Sequence, residues 1–314
     1  MVTAPPLLVV CGPTGVGKTQ AAVHLAARLA IEVVSADSRQ VYRGMDVATG
    51  KPTPAQRAAV PHHLLDLIEP SERYHAARFR REAMACIDAI RERGQLPVVV
   101  GGTGLYIRAL LRGLDPAPPA DPGLRARLEA VAAGSGVPAL HARLASLDRE
   151  AATRLHPNDR VRIIRAIEKH ELGARSPEPG GSWTSAVPPW RVLLVGLSQE
   201  RGALNRRLEE RAHGMLSGGM MVEVGRLLEA GYDETAPGMA GIGYRQFLDV
   251  LRGRLTEAQA LALMVRDTRR YAKRQMTWFA REPGIQWLDV DETGGPEGAA
   301  ERIAKQIARE GWTA

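Results

Sequence analysis

Twelve residues, Leu8-Val-Val-Cys-Gly-Pro-Thr-Gly-Val-Gly-Lys-Thr19, constrain this chain more than any other stretch. An apolar run breaks into the pattern G-x-x-x-x-G-K-[ST], and Lys18–Leu29 then carries Ala21, Ala22, Leu25, Ala26 and Leu29 on one helical face. Strand, glycine loop and helix start are the context in which this pattern builds a phosphate cradle. The glycines let successive backbone N–H groups turn inward, and the helix N-terminus adds its partial positive charge. Lys18 can neutralise an oxyanion and the Thr19 hydroxyl can ligate Mg²⁺. Gly12, Pro13, Thr14, Gly15, Val16, Gly17, Lys18 and Thr19 are therefore the phosphate-binding candidates, with Thr19 the candidate metal ligand.

The rest of the chain repeats the strand-then-helix alternation of a parallel sheet. Ile31–Ser35 and Leu96–Val100 read as strands, the latter running into Gly101-Gly-Thr-Gly104 and a helix to Leu111. Arg73–Arg93 has Ala76, Phe79, Ala83, Ile87 and Ile90 at helical spacing. From Gly113 to Pro189 no strand is expected; helical stretches fall at about Pro122–Ala133, Pro138–Leu147 and Asn158–Leu172. A loop, Ser176-Pro-Glu-Pro-Gly-Gly-Ser182, follows them. A strand resumes at Arg191–Leu197. Helices are expected at Glu200–Leu216, Met220–Glu229, near Tyr244–Leu251 and at Glu257–Arg281, with Thr256 and Gln259 as a capping box. Ile285–Leu288 closes the strands and Glu297–Arg309 the helices. The expected fold is α/β, a P-loop-type parallel sheet flanked by helices with an all-helical insertion domain. Residues 1–112 form the first part of the core, 113–189 the insertion, and 190–314 the second part with a basic helix and a C-terminal helix.

Asp37 sits just past the second strand, in Val33-Val-Ser-Ala-Asp-Ser-Arg-Gln, where an open α/β sheet overlooks its ligand crevice. It is either a loop-capping aspartate or a general base facing an acceptor beside the phosphate donor. The strand-end carboxylate usual in hydrolysing relatives of this loop is missing, since Val98-Val-Val leads into glycines.

Charge narrows the partner. The 314 residues carry a net charge of +7, with a pI near 9.8. Arg162, Arg165 and Lys169 share a helix side opposite Val161, Ile164 and Ile167. Arg266, Arg270, Lys273, Arg274 and Arg281 follow helical spacing, with Met264, Tyr271 and Met276 as core contacts. Either face alone reads as a solvated surface; two of them beside a phosphate loop point to an anionic polymer. Two cysteines, Cys11 and Cys86, make no disulfide framework and suit a reducing compartment. No secretory leader is expected, no apolar run approaches a membrane span, and a cytoplasmic monomer is the expectation. His62, His63 and His156 lack ligand spacing and read as loop or core histidines.

Eight blocks carry a resemblance, in order from about residue 7 to 281: Gly12–Thr19, Ser35-Ala-Asp-Ser-Arg-Gln-Val-Tyr-Arg-Gly-Met-Asp, Pro61-His-His-Leu, Tyr74-His-Ala-Ala-Arg-Phe, Gly101-Gly-Thr-Gly-Leu-Tyr, His156-Pro-Asn-Asp, Ile242-Gly-Tyr and Ala272-Lys-Arg-Gln-Met-Thr-Trp-Phe. Together they resemble the tRNA dimethylallyltransferases. The sequence departs from that family's usual text at Ser176–Ser185, and reads Gly15-Val16 where an Ala-Ser-like pair is commoner.

The resemblance implies transfer of a dimethylallyl group from dimethylallyl diphosphate, with Mg²⁺, to N6 of the adenosine 3′ to the anticodon. The partner is then a tRNA anticodon stem-loop. Asp37 and Thr103 become the catalytic candidates, Thr103 lining the path between donor and acceptor. The phosphate loop grips the donor diphosphate, joined by Arg201, Arg207 and Arg211. The tRNA-binding set is Asp37, Ser38, Arg39, Gln40, Arg125, Arg160, Arg162, Arg165, Gly243, Tyr244, Arg245, Arg270, Lys273 and Arg274. Three other readings remain at this point. They are a small-molecule kinase using ATP, with Asp37 acting on a hydroxyl; a free-nucleotide prenyltransferase; and a non-catalytic RNA-binding module.

Overall fold

Short apolar runs rich in Val and Leu, buried on both faces, are what a parallel sheet covered by helices demands. The computed structural model of the chain describes residues 4–114, 118, 120–173 and 188–312. Its strands are β1 (Pro6–Cys11), β2 (Ile31–Ser35), β3 (His62–His63), β4 (Leu96–Gly101), β5 (Arg191–Ser198) and β6 (Gln286–Asp289). They form one sheet in the order β3-β2-β4-β1-β5-β6, and every pairing is parallel. Connections run to one side of β1 first and to the other after β4. The phosphate loop thus leaves the strand at which the winding reverses, where open α/β sheets bind ligands.

The helices are α1 (Lys18–Ala26), α2 (Pro54–Ala59), α3 (Ala76–Glu92), α4 (Gly104–Arg112), α5 (Pro122–Ser135), α6 (Val137–Leu147), α7 (Arg149–Arg154), α8 (Arg160–Glu171), α9 (Arg201–Ser217), α10 (Met220–Glu229), α11 (Tyr244–Leu251), α12 (Glu257–Phe279) and α13 (Gly295–Arg309). The chain divides into two compact units, one of residues 1–111 with 187–314 and the other of residues 112–186.

In the first unit one core joins the sheet to α1, α9 and α13 through Leu8, Val10, Leu25, Val98, Leu208 and Ile303. A second core, around Met45, Ile68, Val224, Phe247 and Met264, carries the loop after β2 and the helices α10 to α12. The second unit is all helix where described, and packs on Leu128, Leu140, Leu144, Ile163 and Ile167.

Helix boundaries follow local chemistry. The Thr256–Gln259 capping box starts α12, the Gln259 N–H reaching Thr256 Oγ1 at 3.2 Å and the Thr256 N–H reaching Gln259 Oε1 at 2.8 Å. His75, not Arg73, caps α3, its Nδ1 accepting the Arg78 N–H at 3.2 Å.

Three expectations change. His62 and His63 form β3 against Val33 and Val34; two residues are too few to show a period in sequence. His63 Nε2 also donates to Glu32 Oε2 at 2.6 Å, adding a side-chain tie to the backbone pairing at this edge. On α8, Val161 is 74 % exposed, and Ile163 joins Ile164 and Ile167 in the core instead. The short α2 and α7 also appear, α2 behind a Thr53 cap with Pro54 in its first turn. The Ser176–Ser182 loop lies outside the described residues.

Candidate active site

The loop after β1 takes its shape from glycines. Gly12, Gly15 and Gly17 have φ of 141°, 80° and 100°, values that a side chain resists. A Cβ on Gly12 would also collide with the Leu197 carbonyl. Lys18 lies back across the loop, its Nζ donating to Gly12 O at 3.0 Å and Pro13 O at 2.7 Å. Burial pulls its ammonium down to about 8; the nearby Asp37 charge opposes that shift and Arg211 adds to it. Val16 is buried in the core, so only its backbone can serve the loop.

A residue from far along the chain holds this loop in place. Gln275, buried on α12, accepts the Thr14 N–H at 2.8 Å and donates to the Gly102 carbonyl at 2.9 Å. It ties the phosphate loop to the glycine turn after β4. That turn has no room for side chains: a Cβ would strike the Ala36 carbonyl at Gly101, Gln275 at Gly102 and the Trp278 ring at Gly104.

Asp37 begins a tight turn, Oδ1 accepting the N–H groups of Arg39 at 2.8 Å and Gln40 at 3.3 Å. Both readings of this residue are therefore compatible, since capping occupies one oxygen. Thr103 supports the same turn from the other side. Its Oγ1 accepts the Ser38 N–H at 3.0 Å, and its own N–H reaches Ala36 O at 3.2 Å. Thr103 is not among the residues that line the two cavities described next, but its hydroxyl also bonds with the Tyr271 phenol, which lines one of them.

Two cavities of about 460 Å³ each meet at Asp37. The first, the donor side, is lined by Thr14, Gly15, Gly17, Lys18 and Thr19, with Gln40, Arg207, Arg211 and Gln275 around them. The second, the acceptor side, takes in Ser38, Arg39, Tyr244, Arg245, Arg270 and Arg274, with Tyr271 and Met264. Asp37, Thr14, Thr49, Arg211 and Met215 line both. Arg207 Nη2 donates to Gln20 Oε1 at 2.8 Å. Arg211 makes no ion pair or hydrogen bond among the described residues, though burial pulls its guanidinium down from its ordinary value. A desolvated cation that the described residues leave without an ion pair is suited to an anion. Burial also pushes the Tyr271 phenol up to about 12, with the Asp37 charge adding to it.

Not every expected residue reaches these cavities. Arg201 opens α9 at an exposed position, Lys273 is exposed outside both, and Gly243 caps α11 at φ 94°. Tyr244 lines the acceptor side but spends its hydroxyl on Glu223 Oε1 at 2.5 Å. In the second unit, Arg125 and Arg165 are both tied to the fully buried Glu168. Burial pushes that carboxyl up, but the two guanidinium bonds and the Asp121 N–H outweigh it and hold it at about 2. Arg160 pairs with Glu129 at 3.1 Å and Arg162 with Asp159 at 3.3 Å, both arginines more exposed than Arg125 and Arg165. Gln275 and Met215 were not singled out in sequence. Gln275 betrays itself only as an amide between Ala272 and Phe279 on an apolar stripe.

A glycine-rich phosphate-loop motif, an arginine without an ion pair among the described residues, and a carboxylate standing where two cavities meet fit an α/β group-transfer protein of the P-loop type. The chain belongs to the IPP transferase family, whose model matches residues 40–282, and a model described as isopentenyl transferase matches residues 5–66. The tRNA dimethylallyltransferase of Desulforudis audaxviator is 43 % identical over 310 residues, covering 99 % of this chain and 100 % of its own length. That of Geobacter sulfurreducens is 47 % identical over 284 residues, or 90 % of this chain and 91 % of the relative. Among solved structures, the tRNA isopentenylpyrophosphate transferase of Bacillus halodurans matches with a TM-score of 0.69 at 38 % identity, covering 96 % of this chain and 95 % of that one. A eukaryotic dimethylallyltransferase acting on tRNA matches with a TM-score of 0.76 at 28 % identity, over 95 % of this chain and 77 % of that one.

Proposed function

We propose that this chain transfers the dimethylallyl group of dimethylallyl diphosphate to N6 of the adenosine on the 3′ side of a tRNA anticodon. The observation that carries the reading is the wall shared by the two cavities, where Asp37 and Arg211 stand together. A leaving diphosphate needs cations on one side of the reacting carbon, and a weakly nucleophilic exocyclic amine needs a proton acceptor on the other.

In the reaction so proposed, the C1–O bond of the donor breaks as the N6–C1 bond forms. Negative charge grows on the departing diphosphate. The N–H groups of Gly15 to Thr19, with Lys18, Arg207 and Arg211, stabilise that charge, the largest contribution such a site can make. Asp37 accepts the N6 proton. Its Oδ1 is held by two backbone N–H groups, which fixes the carboxylate for that task. Thr103 keeps the turn in place through Ser38, and Gln275 keeps the phosphate loop in register with it.

Mg²⁺ fits the donor set: Thr19 offers a hard hydroxyl ligand on the donor cavity, and diphosphate oxygens and water would supply the other ligands. When bound, the ion would neutralise charge on the diphosphate.

On the acceptor side, Arg39, Arg245, Arg270 and Arg274 suit the phosphates of an anticodon loop whose target base has been drawn out of its stack. The helical unit is proposed to bear on the stem through Arg160 and Arg162, while Arg125 and Arg165 serve its own core through Glu168. Among the described residues no helix is long and apolar enough to cross a membrane. We place the enzyme in the cytoplasm as a monomer.

The test is Asp37→Asn, which keeps size and polarity but cannot take a proton. Turnover should fall by roughly 10²-fold or more, with tRNA affinity little changed. Full activity in this variant would sink the assignment of the base.

A further inference from the structure

α9 presents one stripe to the site: Arg207, Arg211 and Met215, spaced i, i+4 and i+8 on a single helix face. Arg207 stands at the phosphate loop, its Nη2 3.5 Å from where a Cβ of Gly17 would be. Arg211 presses against Gly50, and the Met215 Cε lies 3.4 Å from the same Gly50 position. Gly50 has φ 57° and can carry no side chain there without displacing Arg211, while Met215 would touch it at ordinary contact distance. Of the five residues that line both cavities, Met215 is the one hydrocarbon-like side chain. The stripe therefore runs cation, cation, thioether, from the donor loop to the junction. A prenyl diphosphate has the same order, with two anionic groups followed by an apolar chain.

We propose that Met215 is the end-stop that measures the donor's prenyl chain and limits it to five carbons; this rests on the prenyl-transfer reading above. Four residues of helix rise about 6 Å, so Met215 stands one such step beyond Arg211. Four bonds, from the leaving oxygen to a terminal methyl of a dimethylallyl group, span about 5 Å. One more isoprene unit would double that reach and run into the Met215 side chain against Gly50. Methionine suits the task, because an unbranched thioether packs closely on a small branched hydrocarbon without a fixed shape of its own.

The experiment compares dimethylallyl and geranyl diphosphate as donors to one tRNA, in the wild-type chain, Met215→Ala and Met215→Phe. The ratio of kcat/KM for geranyl over dimethylallyl should rise by about tenfold or more in Met215→Ala, the scale on which an apolar pocket discriminates by size. Met215→Phe should raise KM for dimethylallyl diphosphate with tRNA affinity unchanged. A ratio in folded Met215→Ala within twofold of the wild-type ratio overturns the proposal. Calorimetric binding of the two diphosphates, without tRNA, reads the same ratio independently of transfer. Should the wild-type chain bind dimethylallyl diphosphate yet modify no tRNA, the parent function fails, and the binding ratio still decides whether Met215 measures the chain.

Discussion

Lys18 links the geometry of the phosphate loop to a pH dependence that can be worked out in advance. Burial holds its ammonium at about 8, and among the described residues Nζ donates to two carbonyls, of Gly12 and Pro13. A lysine lowered in this way is charged below about 8 and neutral above it. An arriving diphosphate favours the charged form and raises the value again. Binding is therefore coupled to proton uptake: little at pH 7, about half a proton at pH 8 and most of one at pH 9. Affinity should accordingly fall by about tenfold between pH 7 and pH 9. The Cys11 thiol and the Tyr271 phenol, both pushed up to about 12 by burial, do not titrate in this window. Titration calorimetry of pyrophosphate binding, repeated in buffers of different ionisation enthalpy, counts the protons. Lys18→Ala supplies the ligand's own contribution, to be subtracted. Equal proton uptake by wild type and Lys18→Ala at pH 8 would refute the reasoning.

Gln275→Ala leaves the buried Gly102 carbonyl and the part-buried Thr14 N–H without their partner, so denaturant unfolding should show a loss of about 1–3 kcal/mol from the buried carbonyl and less from the N–H, which opens on the cavities. Donor KM should rise with it, because the phosphate loop loses its tie. Glu168 is held far below its ordinary 4.5, so its stabilising charge is present above that value and fades as pH falls from 4.5 towards 2. Denaturant unfolding followed by circular dichroism should show wild-type stability falling between pH 4.5 and 2, and Glu168→Gln should flatten that dependence while lowering stability near neutrality. Arg270, exposed at the mouth of the acceptor cavity, is expected to meet a tRNA phosphate. Arg270→Ala should reduce the slope of log affinity against log salt by about one, and an unchanged slope would return it to the solvated surface.

The parts legible in sequence are those in which a local rule decides the outcome. The glycine loop, the apolar strands on either side of it and the Thr256 capping box each follow from a few adjacent residues. The residues that join distant segments were not legible. Gln275 meets Thr14 across 261 positions, and nothing in an apolar helix stripe announces which amide will bridge two loops. The same limit applies to the arginines. Arg125 and Arg165 look like any other members of a basic face until Glu168, hidden beneath them, claims both. Val161 fits an apolar stripe by spacing, but the helix turns Ile163 inward instead. Asp37 was visible as a strand-end carboxylate; its position on the wall between two cavities is a property of the sheet winding and of α9 and α12 together.

The central claim is that a prenyl group moves from a diphosphate held by the glycine loop to an adenine amine presented at Asp37. Mass analysis of nucleosides, digested from tRNA that has been incubated with the chain, Mg²⁺ and isotopically labelled dimethylallyl diphosphate, tests it most directly. The account predicts labelled N6-(dimethylallyl)adenosine at the position 3′ to the anticodon, formed with release of pyrophosphate and at a rate lowered roughly 10²-fold or more by Asp37→Asn. Unmodified tRNA, with label found on free adenosine monophosphate or with ATP consumed in its place, would contradict it.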